Sequence, residues 1–222
     1  MAFTADVRRK ADPIWRRIAA HPFVRGIGSG RLTRRRFRFY LCQDYVFLVE
    51  YSRVLALAVA RADDLTTMGE FAALLHHTLH TEMNLHRRSA RRFGVSPAAL
   101  EQTRPAPTAY AYTRHLLQVA STGTLAELCA TLLPCQWGYW ELGTALAKGQ
   151  RPGRANPYAD WIRTYSGPEF TKLARWLRDL TDRLAAGAGR AERDRMRRHF
   201  LTSSRYEFAF WEMSYRMERW PL

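Results

Sequence analysis

The stretch TLLPCQWGYW, residues 131–140, places residue types that can do chemistry inside a helix-favouring run. In a continuous helix Cys135 and Tyr139 would lie one turn apart on the same face. Pro134 removes a backbone donor just before the cysteine, and Gly138 removes a side chain beside it, so a ligand or a second helix could approach closely. A thiol beside a hydroxyl in a narrow gap could act as a nucleophile. The same pattern also fits a cysteine that is simply a small buried hydrophobic residue.

Two acidic residues interrupt stripes of apolar residues. Asp44 lies in YLCQDYVFLVEY, and Glu207 lies in SSRYEFAFWEMSY. Burying a carboxylate is costly unless it is paired or hydrogen-bonded, so each acid needs a specific partner. That partner could be an internal arginine or a ligand. If the partner is a ligand, Asp44 would hold it and Glu207 would transfer a proton.

Glu82 and His86, in TEMNLHRR, are four residues apart and share a helical face. This spacing could supply two metal ligands, as in the diiron sites of helical bundles. Such a site needs further acids and usually a second histidine on another helix. His199 has no acid at a matching spacing, because Asp194 is five residues away. The sequence therefore favours an internal hydrogen bond between Glu82 and His86, and no metal site is predicted.

Aromatic residues are frequent near these candidates, and most must pack in the core. A flat heteroaromatic ligand would be held well between two of them. The aromatic residues concerned are Tyr45, Phe47, Tyr51, Tyr110, Tyr112, Trp137, Tyr139, Tyr165 and Phe210.

The elements that must position these residues are helices. From Thr33 to Arg61 apolar residues recur at spacings of three, four and seven, and Thr33 can cap the start. A second helix is predicted from about Thr66 to Phe93, ended by Gly94. The other predicted helices lie in SPAALEQT, PTAYAYTRHLLQVAS, TLAELCATLLPCQWGYWELGTALAKG, NPYADWIRTYS, GPEFTKLARWLRDLTDRLAAGAG and AERDRMRRHFLTSSRYEFAFWEMSYRMERW. Because strand patterns are nearly absent and the breaks are short, the predicted fold class is all-α. We expect a single-domain bundle of about eight helices over residues 1–222.

Length and composition exclude several classes of protein. The 222 residues are 47% hydrophobic and 13% aromatic, which is enough for a substantial core and argues against disorder. The sequence contains no run of about 18 apolar residues, so no membrane span is predicted. The charged N-terminal stretch has no apolar signal segment. A cytoplasmic location is therefore expected. Cys42, Cys129 and Cys135 show no paired spacing, so neither a disulfide framework nor a zinc module is predicted.

The formal net charge of +15 raises the question of nucleic-acid binding. Nearly all the basic residues are arginines, with lysine only at Lys10, Lys148 and Lys172. The arginines are spread along the chain, with small local clusters. This distribution favours a solvated basic surface over a nucleic-acid site.

Six motifs, taken together, resemble those of the TenA family, also called thiaminase II or aminopyrimidine aminohydrolase. They occur in family order between about Pro22 and Trp220: YLCQDYVFL, EMNLH, AYTRHLL, LLPCQWGY, YADWIRTYSGPEF and SSRYEFAFWEM. The resemblance implies an all-helical fold like that of haem oxygenase but without haem, a homotetramer, and no metal or organic cofactor. It also implies hydrolysis of 4-amino-5-aminomethyl-2-methylpyrimidine, and possible cleavage of thiamin, to give hydroxymethylpyrimidine for thiamin salvage.

The resemblance implies a role for each matching residue. Cys135 matches the nucleophile, Glu207 the catalytic acid, and Asp44 the aspartate that holds the aminopyrimidine. Phe47 departs from the family pattern, because relatives often carry a tyrosine there, and this would remove one hydrogen bond from the pocket. The other matching substrate-binding positions are Tyr112, Tyr139, Tyr165 and, in a supporting role, His86.

Two alternatives from other classes remain open. One is a non-catalytic protein on the same fold that binds pyrimidines or nucleic acid. The other is a diiron oxidase of similar helical shape.

Overall fold

The computed structural model describes residues 2–149 and 155–221. Regular structure within these ranges is entirely helical, which confirms the all-α prediction. The α-helices are α1 (Phe3–Ala19), α2 (Pro22–Ser29), α3 (Arg34–Arg61), α4 (Leu65–His77), α5 (Met83–Arg92), α6 (Pro97–Glu101), α7 (Pro107–Thr122), α8 (Leu125–Lys148), α9 (Ala159–Ser166), α10 (Pro168–Gly187) and α11 (Arg190–Arg216). Between α4 and α5, Thr78–Glu82 forms a π-helical turn. No helix in the described ranges is long and apolar enough to cross a membrane.

The described residues form two compact units. The first unit contains the chain up to Leu32 together with Gly123–Trp211, and so holds α1, α2, α8, α9, α10 and most of α11. The second unit contains Thr33–Thr122, with α3 to α7, and the residues that follow Trp211. The expectation of one domain over residues 1–222 stays a prediction.

Helix starts follow the capping residues in the sequence. The Thr33 hydroxyl accepts a hydrogen bond from the Arg36 amide at the start of α3, and the Ser96 hydroxyl caps α6 in the same way. Thr124 and Glu127 form a reciprocal capping box at the start of α8. The predicted starts at Thr33 and Ser96 are therefore confirmed.

Three features of the helices differ from the sequence expectation. The described residues hold eleven α-helices rather than about eight, partly because α1 and α2 precede the first helix that was predicted. The predicted helix from about Thr66 to Phe93 exists, but the π-helical turn divides it into α4 and α5. Helix α8 continues through Pro134, so the proline does not end it.

The central element of the first unit is α8, which packs against α2, α9 and α10. It lies very close to α9 at Gly143. A Cβ atom built on this glycine would lie 2.6 Å from the backbone carbonyl carbon of Tyr165. Because that neighbour is backbone and cannot rotate away, only glycine allows α8 and α9 to pack this closely.

We expect Gly143→Ala to lower the free energy of unfolding by about 2 kcal/mol, because overpacking outweighs the better helix propensity of alanine. Thermal and urea denaturation would measure the change. Gly138→Ala is the matched control on the same helix, since its Cβ would meet only the Trp15 ring, at 4.0 Å. This control should be as stable as the wild type or up to about 1 kcal/mol more stable. Equal stabilities for the two variants would contradict the conclusion that close packing of α8 and α9 requires glycine at position 143.

In the second unit α3 packs against α4, α5 and α7. The Gln43 side chain on α3 holds the segment before α7, because its amide nitrogen donates to the Arg104 carbonyl (3.1 Å) and its oxygen accepts from the Ala106 amide (2.7 Å). At the start of α3, the Arg36 Nε–H donates to the Tyr215 carbonyl at 2.8 Å. These bonds fix α3, which carries several of the candidate site residues.

Candidate functional site

A buried hydrogen-bonded cluster in the second unit is centred on Asp44, whose residue surface is 3% exposed. Its Oδ2 atom accepts a hydrogen bond from the Tyr40 hydroxyl at 2.7 Å and lies 2.6 Å from His86 Nε2. Both contacts use Oδ2, so Oδ1 is the oxygen that neither engages. These partners are a tyrosine and a histidine, not the internal arginine that the sequence left open as an alternative.

The contacts of His86 define its protonation state. Its Nδ1 lies 2.8 Å from the Glu82 main-chain carbonyl oxygen, which can only accept, so Nδ1 must carry a proton. At Nε2, the 2.6 Å contact with a carboxylate oxygen favours a proton as well, and hence the imidazolium form of the ring. Complete burial by itself lowers the pKa of His86, but the charge and hydrogen bond of Asp44 outweigh it and raise the pKa above its ordinary value. The geometry and the raised pKa of His86 both favour a buried ion pair between His86 and Asp44.

The π-helical turn brings Glu82 and His86 into this arrangement. Its wider winding appears in the hydrogen bond from the Met83 amide to the carbonyl of Thr78, five residues earlier. The predicted bond between Glu82 and His86 is present, but the acceptor is the main-chain oxygen rather than the carboxylate. The Glu82 carboxylate instead lies 3.4 Å from the Thr78 hydroxyl. No group of three or more potential metal ligands occurs among the described residues.

The aromatic rings of Phe47 and Tyr112 pack against each other in the second unit. Their ring centroids are 5.1 Å apart, and Phe47 also stacks on Tyr51 at 5.8 Å. Phe47 follows Asp44 by three residues on α3, so both side chains share one helical face. The second unit therefore brings together four of the predicted site residues: Asp44, Phe47, His86 and Tyr112.

The three cysteines of the chain differ in their surroundings. Cys135 on α8 is half-buried, whereas Cys129, on the same helix, is fully buried and burial raises its pKa strongly. Cys42, which belongs to the second unit, is half-buried, and burial is again the main cause that raises its pKa. None of the three forms a disulfide bond. Cys135 is therefore more exposed than Cys129 on the same helix, and it precedes Tyr139 by one helical turn.

Tyr139 makes ring contacts with other aromatic residues of the first unit. Its ring centroid lies 4.8 Å from that of Tyr165 and 5.3 Å from that of Trp211. Tyr139 also lines a cavity of about 150 Å³ together with Glu207, which is only 5% exposed. The first unit thus holds Cys135, Tyr139, Tyr165 and Glu207.

The wall of this cavity contains residues that the sequence reasoning did not identify. They are Arg8, Trp15, Arg16, Ile18 and Ala19 on α1 and Glu141, Leu142 and Ala145 on α8, alongside Trp211. Pro134 and Gly138 also line it, in agreement with the expectation that Gly138 leaves room beside α8. Tyr40 in the second unit was likewise missed, although its spacing of four residues from Asp44 was a signal for a contact within a helix.

Comparison with known proteins gives consistent matches along almost the whole chain. Residues 8–217 match the model of the TENA/THI-4/PQQC family. An aminopyrimidine aminohydrolase from Halalkalibacterium halodurans is 44% identical over 99% of this chain and 98% of that protein. An aminopyrimidine aminohydrolase from Bacillus subtilis is 38% identical over 99% and 92%, respectively.

Solved structures agree with these sequence matches. A TenA homologue from Pyrococcus horikoshii superposes with a TM-score of 0.88 at 31% identity, covering 97% of this chain and 99% of that one. A Shewanella denitrificans domain with a haem-oxygenase-like fold gives a TM-score of 0.77 at 12% identity over 96% and 92%, which concerns the fold alone. The family match, the extent of the identities and the shared all-helical fold together establish that this chain belongs to the TENA/THI-4/PQQC family.

Proposed function

We propose that the chain is an aminopyrimidine aminohydrolase of the thiaminase II type. It hydrolyses 4-amino-5-aminomethyl-2-methylpyrimidine, and also thiamin, to hydroxymethylpyrimidine. The observation that carries the proposal is the 44% identity, over nearly the full length of both chains, to a protein named aminopyrimidine aminohydrolase. The half-buried Cys135 beside Tyr139 and the buried Glu207 support it, because they provide a nucleophile and an acid.

The first half of the proposed reaction expels the amine. The Cys135 thiolate adds to an electron-poor carbon of the pyrimidine, forming a C–S bond and placing an electron pair in the ring system. That pair moves to form an exocyclic C=C bond as the C–N bond to the amine breaks. Glu207 supplies the proton that allows the nitrogen to leave as ammonia. The ring remains bound to the sulfur and carries an exocyclic methylene.

The second half restores the enzyme. Water adds to the methylene carbon and gives a proton to the Glu207 carboxylate. The ring electrons then break the C–S bond, and the thiolate of Cys135 leaves with the electron pair. Water is thus consumed, ammonia and the pyrimidine alcohol are formed, and both catalytic groups return to their starting states.

Asp44 has the properties of the group that holds the substrate. Its Oδ2 atom contacts Tyr40 and His86, and Oδ1 is not used by either of them. A carboxylate oxygen of this kind can accept hydrogen bonds from the 4-amino group of the pyrimidine and keep the reacting atoms close. Phe47 and Tyr112 provide aromatic surface for the ring, with no hydroxyl at Phe47.

The purified chain should therefore release ammonia from the aminomethylpyrimidine and form the alcohol in equal amounts. A coupled ammonia assay and chromatography of the alcohol would measure the two products. The rate should be the same in EDTA, because no step uses a metal. Binding of the pyrimidine without product formation would contradict the proposal and favour the non-catalytic alternative.

The homotetramer is also part of the proposal. Light scattering during gel filtration should give a mass four times that of the chain. The cytoplasmic location stays a prediction from the sequence.

A further inference from the structure

The cavity beside Glu207 has an inner end and an outer end. Glu207 and Tyr139 line it, although each is almost completely buried. Arg16, whose side chain is 77% exposed, also lines it, so the cavity reaches from the buried carboxyl group to the protein surface. The cavity has a volume of about 150 Å³, which is room for several water molecules.

The polar groups on its wall suit water. Arg8 donates hydrogen bonds to Asp12 and Glu141, both at 3.0 Å, and lies over the Trp15 ring at 4.2 Å. The Arg8 Nε–H is buried, and no described residue accepts a hydrogen bond from it. A buried donor of this kind normally finds a protein or water acceptor, because leaving it unpaired is costly. Together with Glu141 and Glu207 it provides the several polar partners that an ordered water needs.

The residues of α8 that line the cavity include neighbours of Cys135 but not Cys135 itself. Pro134, Gly138 and Ala145 lie close to one line along the helix and face the cavity, and Tyr139, which shares the face of Cys135, lines it as well. Gly138 has no side chain, and a Cβ there would meet only the Trp15 ring. The cavity therefore connects Glu207 to the surface along α1, and the thiol is not part of its wall.

We propose that this cavity is the water passage of the enzyme: it delivers the hydrolytic water to Glu207 from the α1 side. The inference depends on the proposed function, in which water must give a proton to the Glu207 carboxylate as its oxygen bonds to the methylene carbon. That water enters after the C–N bond has broken. Obstructing the passage should therefore slow the second half of the reaction and spare the first.

Two substitutions obstruct the cavity at different depths. Gly138→Leu adds a side chain at a half-buried wall position beside the Trp15 ring, and Ala145→Leu adds one at an exposed wall position two turns further along α8. Ala147→Leu is the matched control, because it is the same change on the same helix at a position that does not line the cavity. Circular dichroism and thermal denaturation would show that each variant is folded.

Rapid-quench measurements would then follow ammonia and the pyrimidine alcohol separately. Both cavity variants should release up to one equivalent of ammonia per chain in a fast burst, followed by turnover at least tenfold slower than that of Ala147→Leu. A turnover number within twofold of the control in both variants would overturn the inference, and so would an equal slowing of ammonia release and alcohol formation. A wild-type chain that forms neither product would instead overturn the proposed function, and the inference with it.

Discussion

Cys135→Ser is expected to lower kcat/KM for the aminomethylpyrimidine by a few hundredfold or more, a loss of about 3 to 4 kcal/mol of transition-state stabilisation. Serine has nearly the same shape, but its hydroxyl does not ionise near neutral pH and is a poor nucleophile without a strong base beside it. Because Cys135 is half-buried, the exchange should leave the free energy of unfolding almost unchanged. Steady-state kinetics and urea denaturation of the same preparation would measure both quantities.

The other half-buried cysteine provides the matched control. Burial raises the pKa of the Cys42 thiol, so little of it is thiolate at neutral pH. Cys42→Ser should therefore keep the activity of the wild type. Iodoacetamide labelling of this control should modify Cys135, and bound substrate should protect it. Full activity in Cys135→Ser would defeat the proposed mechanism.

Much of the helical framework could be predicted because its signals are local. Thr33 and Ser96 mark helix starts through hydrogen bonds to amides three residues away, and these contacts depend only on nearby sequence. Helix α1 carries such a signal too, since Val7, Ala11 and Trp15 recur every four residues and are buried. The helices predicted from the sequence begin only at Thr33 and do not include α1.

The π-helical turn could not be predicted in this way. The segment Thr78–Glu82 has ordinary helix-forming residues, and the apolar pattern on either side fits a continuous α-helix. The extra residue in the turn changes which side chains face α3, and the contact that benefits joins His86 to Asp44, 42 positions away. A local sequence pattern does not predict a contact between residues so far apart in the chain, nor the π-helical turn that accompanies it.

For the site residues, too, local features can be predicted from the sequence and long-range contacts cannot. Asp44 could be singled out because a carboxylate among apolar residues needs a partner, but the identity of that partner depends on packing between helices. The cavity beside Glu207 depends on Arg8 and Trp15 from α1, more than 190 positions away in the chain. Residue type therefore indicates which groups could react. The residues that surround those groups can be identified only from the tertiary structure.

His86→Phe should destabilise the fold by about 3 to 5 kcal/mol, because it leaves the Asp44 carboxylate buried without its charged partner. Under the proposed function it should also raise KM for the pyrimidine, since Asp44 would no longer be held in place. His86→Gln retains a neutral donor and should lose less stability, which provides a folded variant if the phenylalanine variant does not fold. Tyr40→Phe removes only the neutral hydrogen bond to Asp44 and should cost about 1 kcal/mol.

The pH dependence separates an ion pair from simple packing. Because the pKa of His86 is raised in the folded protein, its contribution is complete below about pH 6.5 and is lost as the pH rises through the folded-state pKa. The difference in unfolding free energy between wild type and His86→Gln should therefore shrink as the pH rises above about 6.5. His199 gives the opposite control: burial lowers its pKa, so the stability it contributes is present above about pH 6.5 and is lost as the pH falls through the lowered value. A His86 difference that stays constant from pH 6 to 9, measured by urea denaturation, would show that Asp44 and His86 do not form the ion pair.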